Sequence, residues 1–198
     1  MIVLALDLAK NRSGWALGGP AWNRPHFGVF ETANWDKRPG YNLVNFRKFL
    51  DARAVNFPIS HVVIEQVFVD VRGAESKAFN FSGTQFQMMA SGVVLEWAES
   101  RGIKQLEANV DDWRARFLGH NRRPKDAAKE GLYWKNLAIK RCAELGWWVE
   151  HHDTAEALGI WDFALAALDP AYRRNTDARH ARIQQDRDFK KGMFAYEG

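Results

Sequence analysis

Four carboxylates fall where a metal-binding cluster would need them. Asp7 closes the apolar run Ile2-Val3-Leu4-Ala5-Leu6, and Glu65 closes Val62-Val63-Ile64. An aliphatic run ending in an acid is the pattern of a buried strand with a polar residue at its exit. If the two strands are neighbours, both acids stand at one edge of one sheet. Asp153 and Glu156 are three residues apart at the start of an apolar, helically spaced segment, so both carboxylates lie on one helix face. Converging carboxylates repel one another unless a cation sits between them. Mg²⁺ is a hard cation typically held by a few carboxylates together with substrate phosphate. Paired ions of this kind stabilise the attacking and leaving oxygens of an in-line phosphoryl displacement. The predicted chemistry is metal-dependent phosphodiester hydrolysis.

Each acid also has a purely structural reading. A strand-terminal Asp serves as a turn or cap residue. Asp153 fits a helix N-cap, with Glu156 completing a capping-box-like pair. Glu65 resists that explanation, because an unpaired acid at the end of a buried strand is costly. The four together favour the metal site. Asp162, six residues after Glu156, is not expected to be a ligand. His152 is a candidate for proton transfer, although a His ahead of a helix start is more simply exposed.

These acids need a scaffold. Residues 2–6 read as a strand, 10–14 as a turn, 15–17 as a second strand and 26–31 as a third. The intervening Gly18-Gly19-Pro20 and Asn23-Arg24-Pro25 turns make this an antiparallel meander. A helix follows over 41–57, closed by Pro58, and then the strand ending in Glu65. A long apolar helix spans 82–101, ended by Gly102, with a fifth strand over 103–107 and a short helix over 111–118. A basic amphipathic helix over 125–145, a brief extended piece at 147–150 and a helix over 153–168 complete the pattern, and Asp169-Pro170 stops the last helix. The order β-β-β-α-β-α-β-α-α-α predicts an α/β fold. Its mixed five-stranded sheet combines an antiparallel three-strand meander with parallel strands, flanked by helices. Residues 1–170 are expected to form one nuclease domain, and 171–198 a polar, basic C-terminal tail.

Composition agrees with a soluble globular chain. Of 198 residues, 46 % are apolar and 26 % charged. No stretch approaches the roughly 18 apolar residues of a membrane span, and the N-terminal run lacks the basic start of a signal peptide. Cys142 is the one cysteine, so no intramolecular disulfide forms. It reads as a buried structural thiol in a reducing compartment, which the cytoplasm provides. Nine tryptophans supply core area and candidate base-stacking surfaces. The formal charge is only +4, but it is unevenly spread. Residues 112–141 hold nine basic side chains (Arg114, Arg116, Arg122, Arg123, Lys125, Lys129, Lys135, Lys140 and Arg141) against three acids. Such a surplus suits contact with phosphate.

At these residues the chain resembles the RuvC family of Holliday-junction resolvases, the phage-type members in particular, within the RNase H-like superfamily. Ala5-Leu6-Asp7-Leu8-Ala9-Lys10-Asn11-Arg12-Ser13-Gly14-Trp15-Ala16 is similar to the family's first motif, an Asp-led strand, a turn and a Gly-aromatic second strand. Ile64-Glu65-Gln66-Val67-Phe68 resembles the second. His152-Asp153-Thr154-Ala155-Glu156-Ala157-Leu158 resembles the terminal-helix motif, and Asp112-Trp113-Arg114 to Leu118-Gly119 looks like the phage-type members. The resemblance runs over about residues 1–168. It implies an RNase H-like fold and a homodimeric, two-Mg²⁺ endonuclease cutting branched DNA to a 5′-phosphate and a 3′-hydroxyl, with Mn²⁺ able to substitute. Asp7, Glu65, Asp153 and Glu156 would be the ligands, with Asp7 bridging both ions. Phe68 matches an aromatic that inserts near the crossover, and a core Phe is its plain alternative. Lys125 and Lys129, with Arg122 and Arg123 beside them, would contact phosphate. Two positions depart from the family: Ala9 stands where Gly is usual, and Glu156 where Asp is common.

Three other functions compete. An RNase H-like nuclease for flaps or RNA–DNA hybrids would use the same acids. An actin-like nucleotide-binding protein would need a second phosphate loop and a Gly-rich adenosine motif, neither of which the chain has. A non-catalytic junction binder would have no use for four converging carboxylates.

Overall fold

In the computed structural model, described for residues 1–22, 24–32, 35–67, 81–124 and 130–194, the first strand is the centre of the molecule. β1 (Val3–Asp7) pairs antiparallel with β2 (Arg12–Gly18) and parallel with β4 (His61–Glu65). β3 (His26–Glu31) extends the meander beyond β2, and β5 (Lys104–Ala108) lies parallel to β4. The order is β3-β2-β1-β4-β5, the mixed five-stranded sheet expected from the strand pattern. A strand covered on both faces must be apolar at every position, not at alternate ones, and Val3, Leu4, Ala5 and Leu6 are all fully buried.

The pleat sends alternate residues to opposite layers. Leu4, Leu6, Val62 and Ile64 face a cluster with Phe46 and Leu50 of α1 (Pro39–Asn56) and Phe86, Val94 and Trp97 of α2 (Phe81–Glu99). Val3, Ala5 and Val63 face the other cluster. It draws on α3 (Val110–Leu118), α4 (Glu130–Glu144) and α5 (His152–Leu168). Cys142 is fully buried there, and burial raises its thiol far above the ordinary range.

The expected turn through Gly14 is shorter in the structure. β2 starts at Arg12, because Asp7 already pairs with Gly14 and Arg12 with Glu31. The anticipated extended piece at 147–150 forms no strand. Trp147 instead packs edge-on against Trp161, with ring centroids 6.0 Å apart.

Beyond Leu168, Asp169 and Pro170 end one helix and begin another, α6 (Pro170–Phe194). Proline is tolerated at a first helical position, where its missing N–H would have no partner. Asp169 Oδ1 accepts the N–H groups of Ala171 at 2.8 Å and Tyr172 at 3.0 Å, a capping geometry. The start of α6 is anchored inward, with the Tyr172 hydroxyl donating to the fully buried Asp162 at 2.8 Å. No helix among the described residues is long and apolar enough to cross a membrane.

Candidate metal centre

Leu6 is the register partner of Ile64, so β1 and β4 release Asp7 and Glu65 at the same sheet edge. α5 begins over that edge. Its N-cap is His151, without a side-chain capping bond. Asp153 therefore lies inside the first turn and is not the cap, and its carboxylate is turned toward Asp7. One carboxylate oxygen each from Asp7, Asp153 and Glu156 lie within 4.8 Å of one another. Asp153 is buried and the other two are partly buried. Glu65 stands outside that tight trio but borders the same cleft as Asp7. That space of about 190 Å³ is walled also by Leu8, Gln66, Val67, Gln87 and Val110.

The approach of α5 is set by a glycine. A Cβ on Gly14 would lie 1.9 Å from the Asp153 carbonyl oxygen, so the helix start rests directly on the β2 backbone. Thr154 Oγ1 adds a hydrogen bond to the Gly28 carbonyl of β3 at 3.2 Å.

Crowding shows in the electrostatics. Burial first, then the Glu156, Glu65 and Asp153 carboxylates, push Asp7 well above the usual carboxylate range. Glu156 is pushed up to about 7 by burial, with Glu65 and Asp153 adding to it. Burial also raises Glu65. Cations work the other way. Arg114 Nη2 is 4.0 Å from Glu156 Oε1 and favours the charged forms of Glu65 and Glu156. Lys135 on α4 does the same for Asp7 and Glu156. His152 Nε2 lies 3.1 Å from Asp153 Oδ1, so this His is engaged with the site and is not simply exposed. Burial lowers its pKa, with Asp153 opposing. Next to it, Arg12 Nη1 lies 3.0 Å from His151 Nδ1.

The short helix α3 supplies two partners that strand and helix patterns do not disclose. The Trp113 indole N–H donates to Glu65 Oε2 at 2.7 Å. Arg114, the next residue, lies over the Trp113 and Trp134 rings, 5.4 and 4.9 Å from their centroids. Both belong to the Asp112-Trp113-Arg114 segment, whose aromatic-cation adjacency was the available signal. Lys135 was legible only as one of nine basic residues.

That basic surplus is not all at the surface. Arg116 Nε lies 3.0 Å from Asp162 Oδ2, and its Nη1 is 2.6 Å from Asp177 of α6. Arg141 is buried and donates to the Phe117 carbonyl at 2.8 Å. Arg122 and Arg123 are exposed in the loop after α3. Phe68, Lys125 and Lys129 lie outside the described residues. Asp162 sits away from the trio, holding Tyr172 and Arg116.

No family model matches the chain, and no curated protein matches it in sequence. Solved structures do match. RuvC of Thermus thermophilus superimposes with a TM-score of 0.56 at 16 % identity, over 81 % of this chain and 90 % of that one. The same protein in complex with a Holliday junction substrate gives 0.58 at 15 % identity, over the same shares. The fowlpox virus Holliday junction resolvase gives 0.44 at 11 % identity, over 85 % of this chain and all of that one. At such identities the likeness with the two RuvC structures speaks to architecture: this chain has the RNase H-like fold, in the form that RuvC takes.

Proposed function

We propose that this protein is a metal-dependent endodeoxyribonuclease selective for branched DNA, Holliday junctions in particular. The observation that carries this reading is the convergence of Asp7, Asp153 and Glu156 within 4.8 Å at the sheet edge where Glu65 also emerges. The donor set fits a hard divalent cation. It consists of carboxylate oxygens, and Asp7 and Glu156 are raised first by burial and then by neighbouring carboxylates, a charge that a cation would offset. Asp7, Asp153 and Glu156 would hold Mg²⁺ or Mn²⁺, and Glu65 would complete a set able to serve two ions. The bound metal would supply charge stabilisation to the phosphoryl oxygens and a lowered pKa for attacking water.

The remaining residues shape that site. Arg114 and Lys135 bring positive charge to its α3 and α4 walls, where a phosphodiester would lie. Trp113 holds one oxygen of Glu65, and His152 braces Asp153. In this reading the nuclease domain spans residues 1–170, with α6 as an appended helix. Phe68, Arg122, Arg123, Lys125 and Lys129 contact the branched DNA, and a homodimer engages its two sides. The T. thermophilus RuvC solved with a junction substrate supports the substrate class.

The test compares cleavage of a four-way junction, a flap, an RNA–DNA hybrid and linear duplex, with Mg²⁺ and with chelator. Junction cleavage that needs the metal and disappears in Asp7→Asn and Glu65→Gln supports the proposal. Preferred cleavage of hybrid or flap replaces it with the broader nuclease. Undiminished cleavage in both variants removes the site assignment.

A further inference from the structure

We infer that Trp113 is a positioning residue that sets the distance between the strand acid Glu65 and the helix acids Asp153 and Glu156. The inference rests on reading these acids as a metal site. Three observations support it. First, Trp113 is fully buried, yet its one polar atom is spent on Glu65 Oε2 at 2.7 Å. A hydrogen bond to a carboxylate at that length is a strong one. It fixes one oxygen and leaves Oε1 for a ligand role.

Second, the opposite side of the ring is pressed against α5. A Cβ on Gly159 would lie 2.8 Å from Trp113 Cε3 and 2.9 Å from Phe117 Cδ1. Gly159 is three residues past Glu156, one helical turn along the same face. The indole is thus wedged between the strand bearing Glu65 and the helix bearing the other acids. Its width becomes the spacing between them. Third, Arg114 follows it in the chain and pairs with Glu156 at 4.0 Å. Successive residues of one short helix therefore engage the two glutamates. α3 is itself firmly set, with Asn109 capping its start through the Asp111 N–H and Gly119 closing its end at φ 90°.

Partners that orient metal ligands commonly change metal affinity by 10- to 100-fold when removed. The informative variant is Trp113→Phe, which keeps an aromatic ring and removes the N–H. Titration calorimetry of the full chain with Mn²⁺ should show binding about 10-fold weaker than wild type. In a Glu65→Gln background the same change should add nothing further. Equal Mn²⁺ affinity in Trp113→Phe and wild type overturns the role of Trp113. Absence of Mn²⁺ binding by wild type overturns the metal site itself.

A second measurement needs no variant. In ¹H–¹⁵N spectra of wild type, assigned by triple resonance, the Trp113 indole N–H signal should move on adding Mg²⁺ because its acceptor changes charge environment. A Trp113 signal unmoved at saturating Mg²⁺ overturns the inference.

Discussion

Gly14 and Asp153 meet backbone to backbone, so closely that a Cβ on Gly14 would fall 1.9 Å from the Asp153 carbonyl oxygen. The contact joins the second strand to the helix that carries two of the three clustered acids. It explains why a strand residue opposite Asp7 must lack a side chain.

Gly14→Ala is therefore expected to push α5 off the sheet. The obstacle is backbone, which cannot rotate aside as a side chain can. Overpacking of this kind costs on the order of 1–3 kcal/mol. Thermal melting should show that loss, and Mn²⁺ affinity should fall with it. A variant with wild-type melting temperature and affinity would show that α5 does not rest on Gly14.

The crowded carboxylates should make metal-free protein less stable as pH rises. Asp7 and Glu156 have folded pKa values above their unfolded ones. The folded state then binds more protons, and stability falls with pH across that interval. For Glu156 the interval runs from the ordinary value of 4.5 to about 7. The stabilisation is complete below it and lost through it, on the order of 3 kcal/mol for this residue. Melting curves in chelator at pH 4.5 and pH 7.5 should differ less in Glu156→Gln than in wild type. Added Mg²⁺ should flatten the wild-type profile. Equal pH dependence in the two proteins would refute this account.

Arg114→Gln should shift Glu156 further upward, since the guanidinium 4.0 Å away favours its charged form. Carboxyl ¹³C titration would follow it directly. Junction cleavage at neutral pH should drop at least 10-fold. A Glu156 midpoint at or below the wild-type value would mean that the pair carries no electrostatic weight.

Asp162→Asn should damage stability and spare metal binding. Asp162 is fully buried against the Tyr172 hydroxyl and Arg116, with His180 Nε2 at 4.0 Å. Breaking a buried pair by removing one charge costs roughly 3–5 kcal/mol. Unchanged Mn²⁺ affinity alongside a lower melting temperature is the expected pair of results. Lost Mn²⁺ binding in a folded protein would place Asp162 in the site after all.

Much of this architecture can be read from periodicity. The buried runs before Asp7 and Glu65 mark interior strands because only doubly covered strands are apolar at every position, and the structure makes the two neighbours. The spacing of Asp153 and Glu156 puts them on one face in any α-helix. What the chain does not advertise are contacts that depend on three-dimensional approach. Trp113 reads as one core tryptophan among nine, and nothing local says that its N–H points at a carboxylate 48 residues earlier. Arg116 and Arg141 count toward a basic surface in sequence, although both are internal partners. Residues 171 onward look like a tail because their polarity hides a few inward anchors, Tyr172 chief among them.

The centrality of α5 has a consequence for the order in which the protein is made. This helix contacts all five strands, yet it is translated after every one of them. A nascent chain that has emerged only as far as α4 carries Asp7 and Glu65 but lacks Asp153 and Glu156. Its sheet also lacks the helix that packs against all five of its strands. The acid cluster can close only once residues 152–168 have left the ribosome and docked. Assembly of the site therefore waits for α5, and a product truncated before that helix would lack the acid cluster.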